Sequence, residues 1–214
     1  MFDLDGTLYD NRPRTLQILM EYSDEVRQHD PEVADALSTL DGQKVRYLLS
    51  DTLRECALSH PDVVRDVTQY WRERFFSDDY CGFDVPMDGA PEYVRTCYEA
   101  GASIVYLTGR DVPGMFVGTV ASLRDHAFPL GVAGVELVLK PDATLADEAF
   151  KRSALPSLNR AGEVIAVFDN EPANCNIARG LFPTAEIALL DTQKVPGAPE
   201  LDPNVSLITD FRLL

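Results

Sequence analysis

Met1-Phe2-Asp3-Leu4-Asp5-Gly6-Thr7-Leu8, "MFDLDGTL", opens the chain with two carboxylates two residues apart and a glycine directly after them. Asp and Gly are common turn formers, so an acidic surface turn is the plain reading of the stretch in isolation. What decides between a turn and a functional strand end is whether the rest of the chain supplies partners for the two acids.

Beyond this stretch the sequence has two textures. From about Arg12 to Asp79 apolar residues recur near a 3.6 period: Leu16, Leu19, Met20 and Val26, then Val45, Leu48, Leu49 and Cys56, then Val63, Val67, Trp71 and Phe75. Gly42 and His60-Pro61 interrupt them, which predicts three or four short helices. After Pro86 short apolar runs alternate with helical segments: "SIVYL" at 103–107, "VELVL" at 135–139, "VIAVF" at 164–168, "EIALL" at 186–190 and "VSLI" at 205–208. Apolar strands separated by helices predict an α/β fold, a doubly wound, Rossmann-like parallel sheet covered on both faces. Residues 1–11 and 86–214 then form the α/β core, and residues 12–85 a small inserted α-helical cap.

The formal net charge is −16. Nucleic-acid binding draws on clustered Lys and Arg, and no such cluster is present, so no nucleic-acid partner is expected. No apolar run reaches the roughly 20 residues of a membrane span, and the N-terminus lacks the order of a secretion signal; no membrane partner and a cytoplasmic location are expected. Cys56, Cys81, Cys97 and Cys175 have neither disulfide-framework nor zinc-site spacing and are expected to be reduced, mostly core thiols. His29, His60 and His126 show no metal-ligand spacing.

In a doubly wound sheet ligands bind at the carboxyl ends of the strands. There the sequence places Asp3 and Asp5 after Phe2, Thr108-Gly109-Arg110 after "IVYL", and Asp169-Asn170-Glu171 after "VIAVF". A carboxylate at a strand end can attack phosphorus to give an aspartyl-phosphate. The first acidic segment offers Mg²⁺ two oxygens, and Asp169 or Asn170 a third. Thr108 Oγ1 and the Gly109 N–H suit phosphoryl oxygens, and a lysine would complete the charge neutralisation.

With these residues in place, "DLDGTL", "YLTGR", a lysine near a later helix start and "FDNEPAN" resemble the four ordered motifs of the haloacid dehalogenase-like (HAD) hydrolase superfamily, and the helical insertion resembles its C1-type cap. The resemblance implies Mg²⁺-dependent phosphoryl transfer with Asp3 as nucleophile and Asp5 as general acid and then base. It further implies Thr108 as phosphate binder and a metal site of Asp3, Asp5 and Asp169 with its neighbour Asn170. Asn170 stands where a second aspartate is frequent in the family. The family pattern favours Lys151 over Lys140 as the motif lysine, Lys140 then being a solvated surface charge.

Proton donation by Asp5 asks for a carboxyl tuned toward neutrality, which a neighbouring Asp3 and a closed cap would favour. Arg110 reads as a structural or rim residue and Arg12 and Arg14 as a solvated hinge. Tyr70, Trp71, Phe75 and Phe76 read as the packed core of the cap. Glu171 reads as part of an outward turn, and Asn174 as either a group supporting the metal site or a helix cap. The expected function is a Mg²⁺-dependent phosphatase acting on a small-molecule phosphate ester, with a phosphotransferase or mutase, or a catalytically silent binding module, as the competing readings. A central strand ending at Asp3 is short against the usual 5 to 6 residues, so an apolar segment before Met1 is also expected.

Overall fold

The computed structural model describes residues 1–160 and 162–212. Its core is a parallel sheet built around residues 1–3. Phe2 bridges Tyr106 on one side and Phe168 on the other. Its N–H donates to Val105 O at 2.8 Å and its carbonyl accepts from Leu107 N at 2.9 Å, while Asp3 N donates to Phe168 O at 2.9 Å. This segment therefore lies between β3 (Ile104–Asp111) and β5 (Ala166–Asp169). Outside β3 runs β4 (Val135–Lys140), and outside β5 run β6 (Glu186–Leu190) and β7 (Ser206–Ile208), all parallel.

Alternation along the strands divides the core in two. Ile104, Tyr106, Phe168 and Ala188 face one side, under α5 (Ala90–Glu99) and α6 (Val112–Asp125), whereas Val105, Leu107, Val167 and Ile187 face the other, under α7 (Asp147–Ala154) and α8 (Pro172–Leu181). Successive side chains leave a strand on opposite faces, so strands covered twice are apolar throughout. Nearly every residue of β3 is buried, as the unbroken run "IVYL" requires. This is the doubly wound α/β arrangement expected.

Two short antiparallel strands, β1 (Tyr9–Asp10) and β2 (Val85–Pro86), form a stem that leaves the core and returns to it. Between them lie α1 (Arg12–Val26), α2 (Pro31–Leu37), α3 (Leu49–Glu55), α4 (Pro61–Phe75) and a 3-10 turn at Asp78–Phe83. Prolines begin α2 and α4 where their missing N–H costs nothing, and Asp30 caps α2 by accepting from Val33 N at 3.1 Å. The helices pack on their own core of Leu19, Leu37, Leu53 and Val67. Among the described residues no helix is long and apolar enough to cross a membrane. The four cysteines are free thiols; Cys56, Cys81 and Cys175 are buried and Cys97 is half-buried.

Candidate active site

The first strand ends at Asp3, and Gly6 reverses the chain with φ +78°. A side chain at Gly6 would run into the Asn170 amide, so both the turn and the close approach require glycine. The turn places the Thr7 hydroxyl 3.2 Å from Asp3 Oδ2, to which it donates. Asp3, at the end of the central strand, is 4% exposed.

Lys151, from α7, joins two strand ends: its Nζ lies 2.7 Å from Asp3 Oδ1 and 2.7 Å from Asp169 Oδ2. Burial disfavours the charged ammonium, but Asp169 and Asp3 outweigh that cost and hold Lys151 protonated well above its ordinary range. Burial pushes the Asp3 carboxyl up to about 7, against the opposing pull of Lys151. Of the two lysines, Lys151 thus reaches both acids. Lys140 is buried rather than solvated, and binds Asp147 at 2.6 Å and the Leu145 carbonyl at 3.0 Å.

The two candidates after β5 differ in what their oxygens face. Asp169 Oδ1 accepts from Glu171 N at 2.9 Å and Asn174 Nδ2 at 3.1 Å, and Oδ2 accepts from Lys151 and from Asn174 at 3.2 Å. Its two oxygens are thus held by Glu171 N, Asn174 and Lys151 together. Asn170 instead donates its Nδ2 to Gln193 O at 2.7 Å, which aims Oδ1 toward Thr7, 3.5 Å from the hydroxyl. Asn174 is therefore a support for Asp169. Glu171 turns inward, its carboxylate accepting from Val195 N at 3.2 Å.

Asp5 departs from expectation. Arg110 donates to both its oxygens, Nε to Oδ2 and Nη2 to Oδ1, each at 2.8 Å, and Arg14 Nη2 adds a third bond at 3.0 Å. Burial works against its ionised form, yet the guanidinium groups of Arg110 and Arg14 win, so the carboxyl is held well below the usual range rather than raised. Asp84 closes the group. It accepts from Arg14 Nε at 2.8 Å and Arg110 Nη2 at 2.6 Å, and all three side chains are at most 1% exposed. Arg14 is thus no solvated hinge, and Arg110 is a buried linker rather than a rim residue. Arg12 is the exposed one, paired with Asp10 at 2.7 Å.

A cavity of about 460 Å³ lies over these groups, with Asp3, Asp5, Lys151 and Asn170 at its floor. Thr108 is fully buried outside that lining, its hydroxyl accepting from Arg110 N at 3.2 Å, while Gly109 reaches the cavity wall. The cap supplies the roof, including Trp71, Phe75 and Phe76.

Comparison with solved structures places this arrangement. A protein of Clostridium difficile assigned as a phosphatase aligns over 97% of this chain and 92% of its own, with TM-score 0.61 at 15% identity. Protein Tyrosine Kinase A of Mycobacterium tuberculosis aligns over 97% and 91%, with TM-score 0.57 at 16% identity. A protein of Bacteroides fragilis assigned as a haloacid dehalogenase-like hydrolase covers 100% and 97%, with TM-score 0.53 at 11% identity. The fold is that of the HAD-like hydrolases. No protein-family model and no curated protein matches the sequence.

On this HAD-like fold the sequence reading overlooks Thr7 and Asp84. Thr7 sits inside the opening motif, and its hydroxyl at the position after the glycine was a usable signal. Asp84 carries none: it reaches the site only because the β1–β2 stem returns the chain there.

Proposed function

We propose that this protein hydrolyses phosphomonoesters, with Asp3 as nucleophile and Mg²⁺ as cofactor. The observation that carries the reading is Lys151 holding Asp3 at the end of the central strand, beneath a cavity large enough for a small ester. An Asp3 carboxylate oxygen forms a bond to phosphorus as the bond from phosphorus to the ester oxygen breaks. The leaving oxygen keeps that electron pair and takes a proton from solvent. Water then attacks the aspartyl-phosphate, the bond between Asp3 and phosphorus breaks, and phosphate leaves with the carboxylate restored.

Asp3 Oδ2 and the Asn170 amide oxygen, both facing the Thr7 hydroxyl, would offer Mg²⁺ a set of hard oxygen donors of the kind it prefers. Among the described residues no three His, Cys, Asp or Glu side chains cluster as a metal site, so this set would depend on neutral oxygens and would hold the ion with less charge than two carboxylates. When bound, the ion would offset the negative charge of the transferred phosphoryl group. Lys151 adds a fixed positive charge, and Gly109 lines the cavity. Asp5 can exchange a proton with the ester only by turning away from Arg110 and Arg14.

Turnover of p-nitrophenyl phosphate with and without Mg²⁺, beside the Asp3→Asn variant, tests the reading. Mg²⁺-dependent hydrolysis abolished by Asp3→Asn is expected. Hydrolysis that survives the substitution would overturn the mechanism, and no turnover across a broad panel of phosphate esters would point to a binding module.

A further inference from the structure

The roof of the cavity differs in chemistry from its floor. Trp71 and Phe75, one helical turn apart on α4, stack with centroids 4.4 Å apart and planes at 27°, and Phe76 meets both edge-on at 5.9 and 5.1 Å. These rings are not the centre of the cap core, which is built from Leu19, Leu37, Leu53 and Val67. Trp71 lies at the edge of that core, Phe75 is half-buried, and Phe76 is 46% exposed. All three line the cavity.

The rings are held in place. The Trp71 indole N–H donates to Thr15 Oγ1 at 3.2 Å, and the Arg14 guanidinium lies 4.5 Å from the Phe75 ring centre. A preset aromatic cluster lining the cavity is suited to contact with a further flat ring, because aromatic pairs gain from offset or edge-on contact beyond their area of burial.

The remaining walls limit charge. Asp147, Glu148 and Glu171 face the same space. The lining cations already have carboxylate partners: Arg14 and Arg110 on Asp5 and Asp84, Lys151 on Asp3 and Asp169, and Arg46 on Glu55 at 2.7 Å. One phosphate can be met at the floor, but a second anionic group on the ester would face acids with no free cation among the described lining residues.

We infer that the substrate class of the site is a phosphomonoester of an aromatic alcohol or phenol, its ring seated against Trp71 and Phe75 and bearing no second anion. This rests on the phosphatase reading above. The bonds made and broken are those already given, with the aryl or arylalkyl oxygen leaving. Trp71 then acts as a specificity-determining residue, distinct from the groups that touch phosphorus.

Trp71 is the chain's one tryptophan, so its fluorescence reports the ring site directly. Titration with phenylphosphonate and with methylphosphonate in the presence of Mg²⁺ separates ring binding from reactivity, since neither is hydrolysed. Quenching by phenylphosphonate at concentrations about tenfold lower than methylphosphonate is expected, from the usual worth of aromatic stacking. By competition against p-nitrophenyl phosphate, Trp71→Leu should erase the difference and Trp71→Phe should keep most of it. Adding a carboxylate to the phenyl ring should weaken binding. Equal affinity for the two phosphonates in the wild type, or a preference that survives Trp71→Leu, would overturn the inference even where phosphatase activity is present. The absence of hydrolysis on any ester, with phenylphosphonate still preferred, would overturn the phosphatase reading and leave the ring site standing.

Discussion

Arg110 grips Asp5 through both carboxylate oxygens, with two bonds of 2.8 Å from one guanidinium. The pair ties the end of β3 to the turn after the first strand, and Asp84 and Arg14 extend it to both connections of the cap. Two cations and two anions share one site, with Arg14, Arg110 and Asp84 buried and Asp5 open to the cavity. Removing one partner from such a group is costly, because the others stay buried without compensation. Arg110→Met is therefore expected to lower the unfolding free energy by about 3 kcal/mol, read from urea denaturation at pH 7. Arg110→Lys should cost less but remain below wild type, since a lysine keeps the charge and loses the planar fork. A wild-type midpoint in Arg110→Met would show that the network contributes nothing.

The same pair sets a pH dependence. The folded carboxyl of Asp5 lies well below its ordinary range, whereas in the unfolded chain it titrates near about 3.9. A depressed folded pKa contributes stability that is complete above the unfolded value and is lost as pH falls toward the folded one. The melting temperature of the wild type minus that of Asp5→Asn should be positive and equal at pH 7 and pH 5.5, and should shrink at pH 3. Other carboxylates titrate in both proteins and largely cancel in the difference. A difference that grows on acidification would contradict the ion-paired state of Asp5.

The sheet was legible because a parallel strand covered on both faces must be apolar at every position, as Ile104 to Leu107 and Glu186 to Leu190 show apart from the exposed Glu186. The floor of the site was legible for a related reason: in this topology residues directly after such runs converge, which brings Asp3, Gly109 and Asn170 to one cavity, although Thr108 itself stays outside its lining. What the sequence hid was long-range pairing. Arg14 reads as solvated because helix periodicity says nothing of Asp84, 70 positions away. The expectation that Asp5 is tuned upward failed for the same reason, since it counted Asp3 and the cap but not two arginines. The aromatic residues of α4 carry a core-like pattern, and only the three-dimensional arrangement shows that Trp71 and Phe75 line a cavity.

Lys151 and Lys140 are separated by function as well as position. Lys151 pairs with Asp3 and Asp169, while Lys140 binds Asp147 and a backbone carbonyl. Removing a fixed charge aimed at the reacting group usually costs about 10²–10³ in kcat, and Lys151→Met should fall in that range with p-nitrophenyl phosphate. Lys140→Met should stay within about threefold of wild type, the size of a small indirect effect. Comparable losses in the two variants, measured at saturating Mg²⁺, would remove Lys151 from its assigned place.

Asn170 offers the most direct test of the proposed metal. Its amide oxygen faces the Thr7 hydroxyl, and its amide nitrogen is fixed by the Gln193 carbonyl at 2.7 Å. Replacing Asn170 with Asp adds a charge where a cation would bind and removes the donor that Gln193 meets. The two effects oppose each other in different measurements. Without metal, Asn170→Asp should be less stable than wild type by about 1–2 kcal/mol, because two oxygens then face each other and a third buried carboxylate joins Asp3 and Asp169. With Mg²⁺ the added charge should lower the concentration giving half-maximal turnover by about tenfold, as hard cations favour carboxylate over amide oxygen. Chelation by EDTA should abolish turnover in both proteins, and Mg²⁺ should restore it. An unchanged Mg²⁺ requirement in Asn170→Asp, together with the expected loss of metal-free stability, would mean that the side chain is correctly placed here but that the ion is held by other oxygens.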